Sequence, residues 1–317
     1  MKIAILDDTQ DAVRDLQCFH LLSDYDVKIF NTGAKGVGQL AARLAPFDVL
    51  VLIRERTAIS GALMRRLPNL KLIAQVGRNT SHIDRQAATE CDITVLDGLD
   101  DPTAPAELTW ALIMAATRKI VQYSTNLRNG LWQTASIHQQ FNGLGTGLKG
   151  KTLGIWGYGN IGKLVAGYGR AFAMRVLVWG SEHSRQLAAK DGFDAAETKD
   201  AFFSEADVLS LHLRLNEATR ACVTEHEFSR MKPGSLFVNT SQFELVEREA
   251  FFNALRSGQL AALDVFDTEP LPEDSVLLKI PNLLLTPHLG FVEQHSYEMA
   301  FESAFRNILK FLQQRAV

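Results

Sequence analysis

Cysteine is scarce in this 317-residue sequence, which contains only Cys18, Cys91 and Cys222. The three residues stand far apart and show neither the paired spacing of a metal site nor that of a redox motif. We therefore expect no bound metal ion. The three side chains are expected to be small buried hydrophobes in the reducing environment of the cytoplasm.

Long hydrophobic runs are also absent. The most apolar window, residues 108–117, is too short to span a bilayer and is flanked by Glu107, Arg118 and Lys119. The first residues, MKIAILDD, have the pattern of a buried strand and lack the positively charged segment and apolar core of a signal peptide. We expect neither a membrane partner nor secretion, and hence a cytoplasmic protein.

An excess of positive charge is missing as well, since the formal net charge is -3. A protein that binds nucleic acid usually needs a basic face, so we expect no nucleic-acid partner. With 46% hydrophobic and 22% charged residues, the composition is that of an ordinary globular protein. The length is sufficient for two domains.

A glycine-rich turn is the most informative feature that is present. An apolar run at 153–156 predicts a strand, residues 163–174 predict a helix, and between them stand Gly157, Tyr158, Gly159, Asn160, Ile161 and Gly162. In a dinucleotide-binding turn, the first glycine permits the tight bend, the second lets the backbone approach phosphate, and the third lets the helix pack on the strand. The amides and the dipole at the helix start then hold the pyrophosphate. We expect these six residues to bind a dinucleotide.

Strand and helix patterns alternate along both halves of the chain, which is typical of doubly wound parallel sheets. In the first half the predicted strands are 3–6, 27–30, 49–53, 70–75 and 93–95, and the predicted helices are 11–22, 36–44, 60–67 and 83–90. In the second half the predicted strands are 153–156, 175–179, 208–212, 236–239, 262–265 and 283–286.

A break in this rhythm at residues 100–105 divides the chain. One long helix is predicted at 106–129, an extended loop at 134–150 and helical structure again at 290–314. The simplest arrangement is a dinucleotide-binding domain, 101–289, inserted into a substrate domain formed by 1–100 and 290–317. The predicted fold class is α/β: a Rossmann nucleotide domain inserted into a flavodoxin-like domain, each built on a doubly wound parallel sheet.

Three polar residues, Gln242, Glu269 and His288, each follow a predicted strand of the second series. In an open parallel sheet, ligands bind at the carboxyl ends of the strands. Taken singly, such residues are more often structural or solvated. Their shared position with the glycine turn predicts a common catalytic site.

These motifs together resemble the D-isomer-specific 2-hydroxyacid dehydrogenases over nearly the whole length of the chain. The matching segments are RERTAIS (54–60), LKLIAQVGRNTSHID (70–84), PAEL (105–108), LRNGLW (127–132), the glycine turn, MKPGSLFVNTS (231–241), DVFDTEPL (264–271) and TPHLG (286–290). The resemblance implies hydride transfer between NAD or NADP and carbon 2 of a small 2-oxo or 2-hydroxy acid. It also implies a homodimer that forms through the nucleotide domain.

The resemblance assigns roles to individual residues. His288 would exchange a proton with the substrate oxygen, and Glu269 would hydrogen-bond the other imidazole nitrogen and favour its charged form. Backbone amides around Val76 and Gly77 would receive the substrate carboxylate, and Asp264 matches the position that contacts the nicotinamide amide. The remaining cofactor contacts would come from His212, Thr219, Thr240, Ser241, His288 and Gly290.

One departure from the family pattern affects the substrate. The family has an arginine after Asn-Thr-Ser that clamps the substrate carboxylate, whereas this chain has Gln242. Glutamine donates only neutral hydrogen bonds and lacks the guanidinium fork, so we expect a poor 2-oxo acid reductase unless another cation takes this role. Arg54 and Arg78 are the predicted substitutes, with Arg56 as a further candidate.

A second departure affects the cofactor. The acidic residue expected about 20 positions beyond the turn, which holds the ribose hydroxyls of NAD, is replaced by Gly180. Glu182 is an alternative ribose-binding acid. The candidates to receive the 2′-phosphate of NADP are Ser181, His183, Arg185 and Arg214. Both NAD and NADP stay open, with a slight preference for NADP.

Two functional hypotheses follow. The first is a cytoplasmic NAD(P)-dependent oxidoreductase for a small 2-hydroxy or 2-oxo acid, with an unusual carboxylate anchor. The second is a dinucleotide-binding sensor or scaffold with degraded catalysis. His288 and Glu269 favour the enzyme, because a sensor needs neither residue, whereas Gln242 favours the sensor.

Overall fold

The chain forms two compact units in the computed structural model, which describes residues 1–34 and 36–315. Unit 1 comprises Met1–Asp101 and Glu293–Val317, and unit 2 comprises Pro102–Val292. Each unit contains one parallel sheet with helices. The predicted fold class, two parallel-sheet α/β domains, is therefore confirmed.

Short strands alternate with helices along the described residues. The strands are β1 (Lys2–Leu6), β2 (Asp26–Ile29), β3 (Val49–Ile53), β4 (Leu72–Val76), β5 (Thr94–Leu96), β6 (Thr152–Trp156), β7 (Arg175–Trp179), β8 (Asp194–Ala195), β9 (Val208–Leu211), β10 (Leu236–Asn239), β11 (Leu260–Leu263) and β12 (Leu283–Leu285). The helices are α1 (Gly36–Leu44), α2 (Gly61–Met64), α3 (Arg85–Glu90), α4 (Thr103–Thr117), α5 (Ile120–Arg128), α6 (Asn160–Ala171), α7 (Glu182–Lys190), α8 (Lys199–Glu205), α9 (Glu225–Arg230), α10 (Arg248–Arg256) and α11 (Gln294–Arg315).

The sheet of unit 1 has the strand order β2-β1-β3-β4-β5, and every pair is parallel. This is the order of flavodoxin-like folds. Both β3 and β4 are buried along their whole length, which explains why β3 is a continuous apolar run and β4 is apolar except for the buried Gln75. Helix α11 packs on β4, so the C-terminal segment completes this unit.

The sheet of unit 2 has seven parallel strands in the order β12-β11-β10-β9-β6-β7-β8. Strand β6 pairs with β7 on one side and with β9 on the other, so the strand order reverses beside β6. In an open parallel sheet this reversal is the point where ligands bind. The glycine turn directly follows β6 and lies at this point.

Both faces of the unit 2 sheet are covered by apolar side chains. Fully buried phenylalanines fill one face, and the other packs against α4 and α6. Successive residues of a strand point to opposite faces, so Phe237 and Val238 of β10 belong to different cores. The apolar stripe of α10, Phe251, Phe252 and Leu255, is buried in the first core. These cores hold the strand ends in a fixed register.

The helix predicted at 11–22 is wrong, because the segment forms two 3-10 helices, Val13–Asp15 and Gln17–Leu22, separated by the extended residue Leu16. The buried carboxylate of Asp8 accepts hydrogen bonds from the backbone N–H groups of Ala12 and Val13 at 3.1 and 3.0 Å. These bonds tie the segment to the end of β1. Local side-chain-to-backbone bonds thus compete with the helical pattern.

The single long helix predicted at 106–129 is also wrong, because it is divided into α4 and α5 at Lys119. Lys119 has a φ of 51°, in the left-handed region that interrupts an α-helix. Its Nζ donates to the carbonyls of Phe141 and Gly143 at 2.8 and 2.9 Å. These contacts help to stabilise the strained backbone at the break.

Strand β8 has no predicted counterpart, since two residues are too few to show a pattern.

A charged pair is packed against the first core of unit 2. Lys199 Nζ lies 2.8 Å from Glu227 Oε1 and 5.0 Å from the centroid of the Trp156 ring. At the start of α9, the Thr224 backbone N–H and hydroxyl donate to Glu227 Oε2 at 2.7 and 2.6 Å. Burial raises the pKa of Glu227, but the bonds from Lys199 and Thr224 outweigh burial and lower this pKa from 4.5 to about 2.

This pair predicts a pH-dependent contribution to stability. A carboxyl whose pKa is depressed in the folded state stabilises the fold above pH 4.5, and this contribution is lost as the pH falls toward 2. We expect Glu227→Gln to lower the free energy of unfolding by roughly 2–3 kcal/mol at pH 7, and the difference to shrink below pH 4.5. Urea unfolding measures it, with the exposed Glu225→Gln as the control. Equal losses in both variants would contradict this account.

Candidate active site

The glycine turn of unit 2 has the backbone geometry that a dinucleotide requires. Gly157 has a φ of 101°, and a Cβ there would collide with the His212 carbonyl. At Gly162 a Cβ would collide with the Gly157 carbonyl, so both positions exclude larger residues. The Lys163 N–H donates to the Gly159 carbonyl at 2.9 Å, and the amides of Asn160, Ile161 and Gly162 come before this bond in the first turn of α6. Such first-turn amides are suited to holding a pyrophosphate.

Tyr158 in this turn has a structural side chain. The residue is 4% exposed, and its hydroxyl donates to Asp191 Oδ2 at 2.9 Å. Burial, together with the bond to Asp191, raises the pKa of Tyr158 above its ordinary value. A contribution of Tyr158 to cofactor binding is therefore restricted to its backbone.

The end of β7 carries the residues predicted to contact the ribose. Gly180 follows the strand with a φ of 153°, and the Ser181 hydroxyl caps α7 by accepting the Ser184 N–H at 3.2 Å. The guanidinium of Arg185 stacks on the Trp179 ring at 4.9 Å, and its Nε is buried without a partner among the described residues. His183 is exposed, and Glu182 accepts a bond from Gln186 at 3.1 Å along α7. The buried Nε of Arg185 fits a site that receives an anionic ligand group.

The loop after β9 contains three further predicted residues. His212 Nε2 lies 3.0 Å from the Ser210 hydroxyl, and burial lowers the pKa of His212 to about 4, so this ring is neutral at pH 7. The Thr219 hydroxyl donates to the Arg214 carbonyl at 2.7 Å and shapes the loop. The Arg214 side chain is exposed.

Asn239, which the sequence analysis did not single out, organises the loop after β10. Its buried side chain donates to the Gln242 carbonyl at 2.8 Å and accepts the Ser241 N–H at 3.0 Å. The Ser241 hydroxyl donates to the Leu211 carbonyl at 2.8 Å, and Thr240 pairs with the Thr109 hydroxyl at 2.8 Å. Gln242 is thus held in a defined, half-buried position. The sequence could have indicated Asn239 by its position at the end of a predicted strand, directly before Thr240.

The imidazole of His288 is hydrogen-bonded to a carboxylate. Its Nδ1 lies 2.6 Å from Glu269 Oε2, while Glu269 Oε1 accepts the Phe266 N–H at 2.9 Å. The side chains of His288 and Glu269 are 42% and 35% exposed, so both remain accessible to solvent. His288 also has a left-handed φ of 54°. A non-glycine residue in this conformation is frequent at functional sites.

Asp264 secures the segment that carries His288. Its carboxylate is completely buried and accepts hydrogen bonds from the Thr286 hydroxyl at 2.7 Å and from the backbone N–H groups of Leu289 and Gly290 at 2.7 and 2.9 Å. Burial raises the pKa of Asp264, and these bonds oppose the increase. Asp264 and Gly290 are both predicted to contact the cofactor, and the structure shows that the Gly290 N–H donates a hydrogen bond to the Asp264 carboxylate.

Unit 1 carries the residues predicted to bind the substrate, and all of them lie at the carboxyl ends of β3 and β4. Arg54 follows β3 with a φ of 55° and forms an ion pair with Asp100. Val76 is the last residue of β4 and is buried, Gly77 follows with a φ of 102°, and the Arg78 side chain is exposed.

Arg56, the further candidate, is engaged by uncharged groups. Its guanidinium donates to the Asp7 carbonyl at 2.6 Å and to the Tyr297 hydroxyl at 3.2 Å.

Asp100 is not among the residues that the sequence predicts for the site, because its Asp-Asp-Pro context is typical of a break between domains.

Two kinds of feature are not found among the described residues. Within residues 1–34 and 36–315, no three His, Cys, Asp or Glu side chains are grouped so that they could hold a metal ion. In the same ranges, no helix has both the length and the apolar character needed to cross a bilayer.

Comparison with known proteins identifies the family. The NAD-binding domain of the D-isomer specific 2-hydroxyacid dehydrogenases matches residues 110–290, which include the glycine turn and the segment around His288. The glyoxylate reductase of Aeropyrum pernix is 35% identical over 255 residues, which are 79% of this chain and 76% of that relative.

Two solved structures are similar over almost the full length. One, from Ralstonia solanacearum and provisionally described as a D-3-phosphoglycerate dehydrogenase oxidoreductase, is 55% identical with a TM-score of 0.96, over 99% of this chain and 95% of that one. A phosphoglycerate oxidoreductase of Vibrio cholerae is 50% identical with a TM-score of 0.95, over 99% of both chains. The predicted enzyme class is confirmed, and the chain belongs to the D-isomer specific 2-hydroxyacid dehydrogenase family.

Proposed function

We propose that the enzyme interconverts a small 2-oxo acid and the corresponding 2-hydroxy acid, with Gln242 in place of the family's clamping arginine. The observation that carries this proposal is the 2.6 Å contact between His288 and Glu269, at the same edge of the sheet as the glycine turn. A nicotinamide dinucleotide, when bound, supplies or accepts the hydride at carbon 2. A cytoplasmic location is part of the proposal, because the reaction needs a compartment that supplies this dinucleotide.

In this proposal His288 exchanges the proton that accompanies the hydride. Glu269 holds Nδ1, so that Nε2 is the nitrogen that gives a proton to the substrate oxygen during reduction and takes it back during oxidation. The negative charge of Glu269 stabilises the imidazolium. Asp264 keeps the backbone around His288 in place through Leu289 and Gly290.

Replacing the proposed proton donor tests the enzyme against the sensor. We expect His288→Ala to lower kcat by roughly 100- to 10,000-fold, since general acid catalysis contributes about that much. The binding of NADH and NADPH, measured by fluorescence titration, should remain unchanged. His226→Ala is a matched control, because His226 forms a similar contact with Asp200 at 3.0 Å on the exposed surface. A protein that binds dinucleotide but turns over none of a broad 2-oxo acid panel is the sensor instead.

The substrate carboxylate needs a cationic anchor that Gln242 does not supply. The half-buried Gln242 offers neutral donors only. We propose that Arg54 or Arg78 takes over this role, because both follow strand ends beside Gly77. The Arg78 side chain is exposed, and Arg54 is held by Asp100 and lies 3.9 Å from Glu55.

Restoring the family arginine tests this division of roles. We expect Gln242→Arg to raise kcat/KM for glyoxylate or hydroxypyruvate, by up to about 100-fold, since one donor to a developing oxyanion is worth that order. Arg54→Ala or Arg78→Ala should raise KM. If KM stays unchanged in both alanine variants, neither arginine anchors the substrate. If Gln242→Arg brings no rise, the site is built for another ligand.

We also propose a preference for NADP over NAD. No acidic side chain occupies position 180, where it would repel a 2′-phosphate, and Arg185, in the first turn of the α7 helix that follows β7, has a buried Nε without a partner among the described residues. Ser181, His183 and Arg214 add donors and charge to the same edge of the sheet. Charge-assisted bonds from such groups to a phosphate are stronger than neutral ones.

Direct titration distinguishes the two cofactors. We expect NADPH to bind more tightly than NADH, and Arg185→Ala to weaken NADPH binding by roughly tenfold while leaving NADH within a factor of about two. Arg170→Ala is the control, because Arg170 stacks on Phe193 at 4.7 Å in the same unit. A strong preference of the wild-type enzyme for NADH would refute the proposal.

A homodimer formed through unit 2 is part of the same proposal. Seven large apolar side chains within residues 120–144 are exposed by 37–93%. They are Ile120, Val121, Leu127, Leu131, Trp132, Ile137 and Leu144. Such a concentration of exposed apolar surface is typical of a protein–protein interface.

A second function, a dinucleotide sensor or scaffold, is favoured by one observation. The residue that should polarise the substrate carbonyl is the uncharged Gln242. The enzyme has the stronger support, because the His288–Glu269 pair serves proton transfer and has no use in a protein that only binds dinucleotide.

A further inference from the structure

Asp100 is hydrogen-bonded to Arg54 and Arg78, the two residues of unit 1 that are proposed to bind the substrate anion. It follows β5, and its two carboxylate oxygens have different partners. Oδ1 accepts a hydrogen bond from the Arg54 guanidinium, and Oδ2 accepts the backbone N–H of Arg78 at 3.2 Å. One carboxylate therefore contacts a guanidinium and a backbone amide at once.

This is the arrangement that a substrate carboxylate would adopt on the same groups. An arginine binds one oxygen with a charge-assisted bond, and a backbone N–H binds the other. Gly77 leaves space for the contact between Arg54 and Asp100, because a Cβ at position 77 would collide with both the Arg54 guanidinium and Asp100 Oδ1. The Arg54–Asp100 pair thus lies directly against the glycine that precedes Arg78.

Arg54 already lies beside two carboxylates of the chain, those of Asp100 and Glu55. Arg54 Nε lies 3.9 Å from Glu55 Oε2, and Glu55 also accepts a hydrogen bond from the Asn79 amide. The side chains of Arg54 and Asp100 are 18% and 24% exposed, so their pair is only partly screened by water. An incoming carboxylate at Arg54 must compete with a carboxylate that is already part of the chain.

We propose that Asp100 is a specificity-determining residue, whose carboxylate competes with the carboxylate of the substrate for Arg54 and for the Arg78 amide. This inference rests on the proposed function of these two residues as the substrate anchor. Asp100 weakens the binding of small 2-oxo acids at this anchor. It selects for substrates that gain enough contact elsewhere to displace it.

Removing the charge of Asp100 tests the competition. Oxalate, an unreactive analogue of a 2-oxo acid, is titrated calorimetrically into the protein at saturating NADH and separately at saturating NADPH, and KM is measured for glyoxylate. We expect Asp100→Asn and Asp100→Ser to lower the Kd of oxalate by roughly tenfold, the value of one charge-assisted bond. The exposed Asp97→Asn loses the same charge three residues earlier and should change Kd by less than about twofold.

A double variant separates direct competition from a general effect of charge. In an Arg54→Ala background, Asp100→Asn should improve oxalate binding clearly less than it does with Arg54 present, because only the Arg78 N–H is still contested. An improvement of the same size without Arg54 overturns the proposal, as does an unchanged or higher Kd of oxalate in both Asp100 variants. Thermal unfolding shows whether each variant is folded, and the two Asp100 variants serve as checks on each other.

The outcomes also separate this inference from the proposed function. If oxalate binds more tightly to the Asp100 variants but no 2-oxo acid is reduced, the reaction is wrong and the role of Asp100 stands. If wild-type enzyme reduces glyoxylate while the Asp100 variants keep its Kd and KM values, the reaction stands and the role of Asp100 is wrong.

Discussion

The buried carboxylate of Asp264 is the interaction on which the position of His288 depends. It joins the end of β11 to the segment after β12 through Thr286, Leu289 and Gly290. Burying a carboxylate is costly unless donors surround it, and here three donors do so. Because those donors flank His288, the cost of burying Asp264 is offset by bonds that also maintain the left-handed backbone at 288.

The parallel sheets bring the functional groups of each unit to one edge. In unit 2, the glycine turn, Arg185, Gln242 and His288 all lie beyond the carboxyl ends of strands, where helix starts and loop amides are free to contact ligands. In unit 1, Arg54, Gly77 and Asp100 share the corresponding edge. Each unit therefore gathers polar and charged groups at one edge of its own sheet.

Local patterns predicted the regular elements well and their interruptions poorly. The strand predicted at 175–179 coincides with β7, because a continuous apolar run needs no information from elsewhere in the chain. The helix predicted across 106–129 failed at Lys119, whose left-handed backbone is accompanied by bonds to Phe141 and Gly143 more than twenty residues away. The role of Asp100 was missed for a similar reason, since its partner Arg54 is 46 residues earlier.

The sequence alone determined the order of strands and helices, the glycine turn, the residue types at the strand ends and the departure at Gln242, because these are properties of neighbouring residues. Only the tertiary structure decided which side chains meet. It shows that Asp100 pairs with Arg54, that the Tyr158 side chain is buried, and that the Ser241 hydroxyl bonds to the Leu211 carbonyl. Such contacts depend on the register of the parallel strands and on the paths of the connecting loops, and no local pattern encodes the distance between two loops of one sheet.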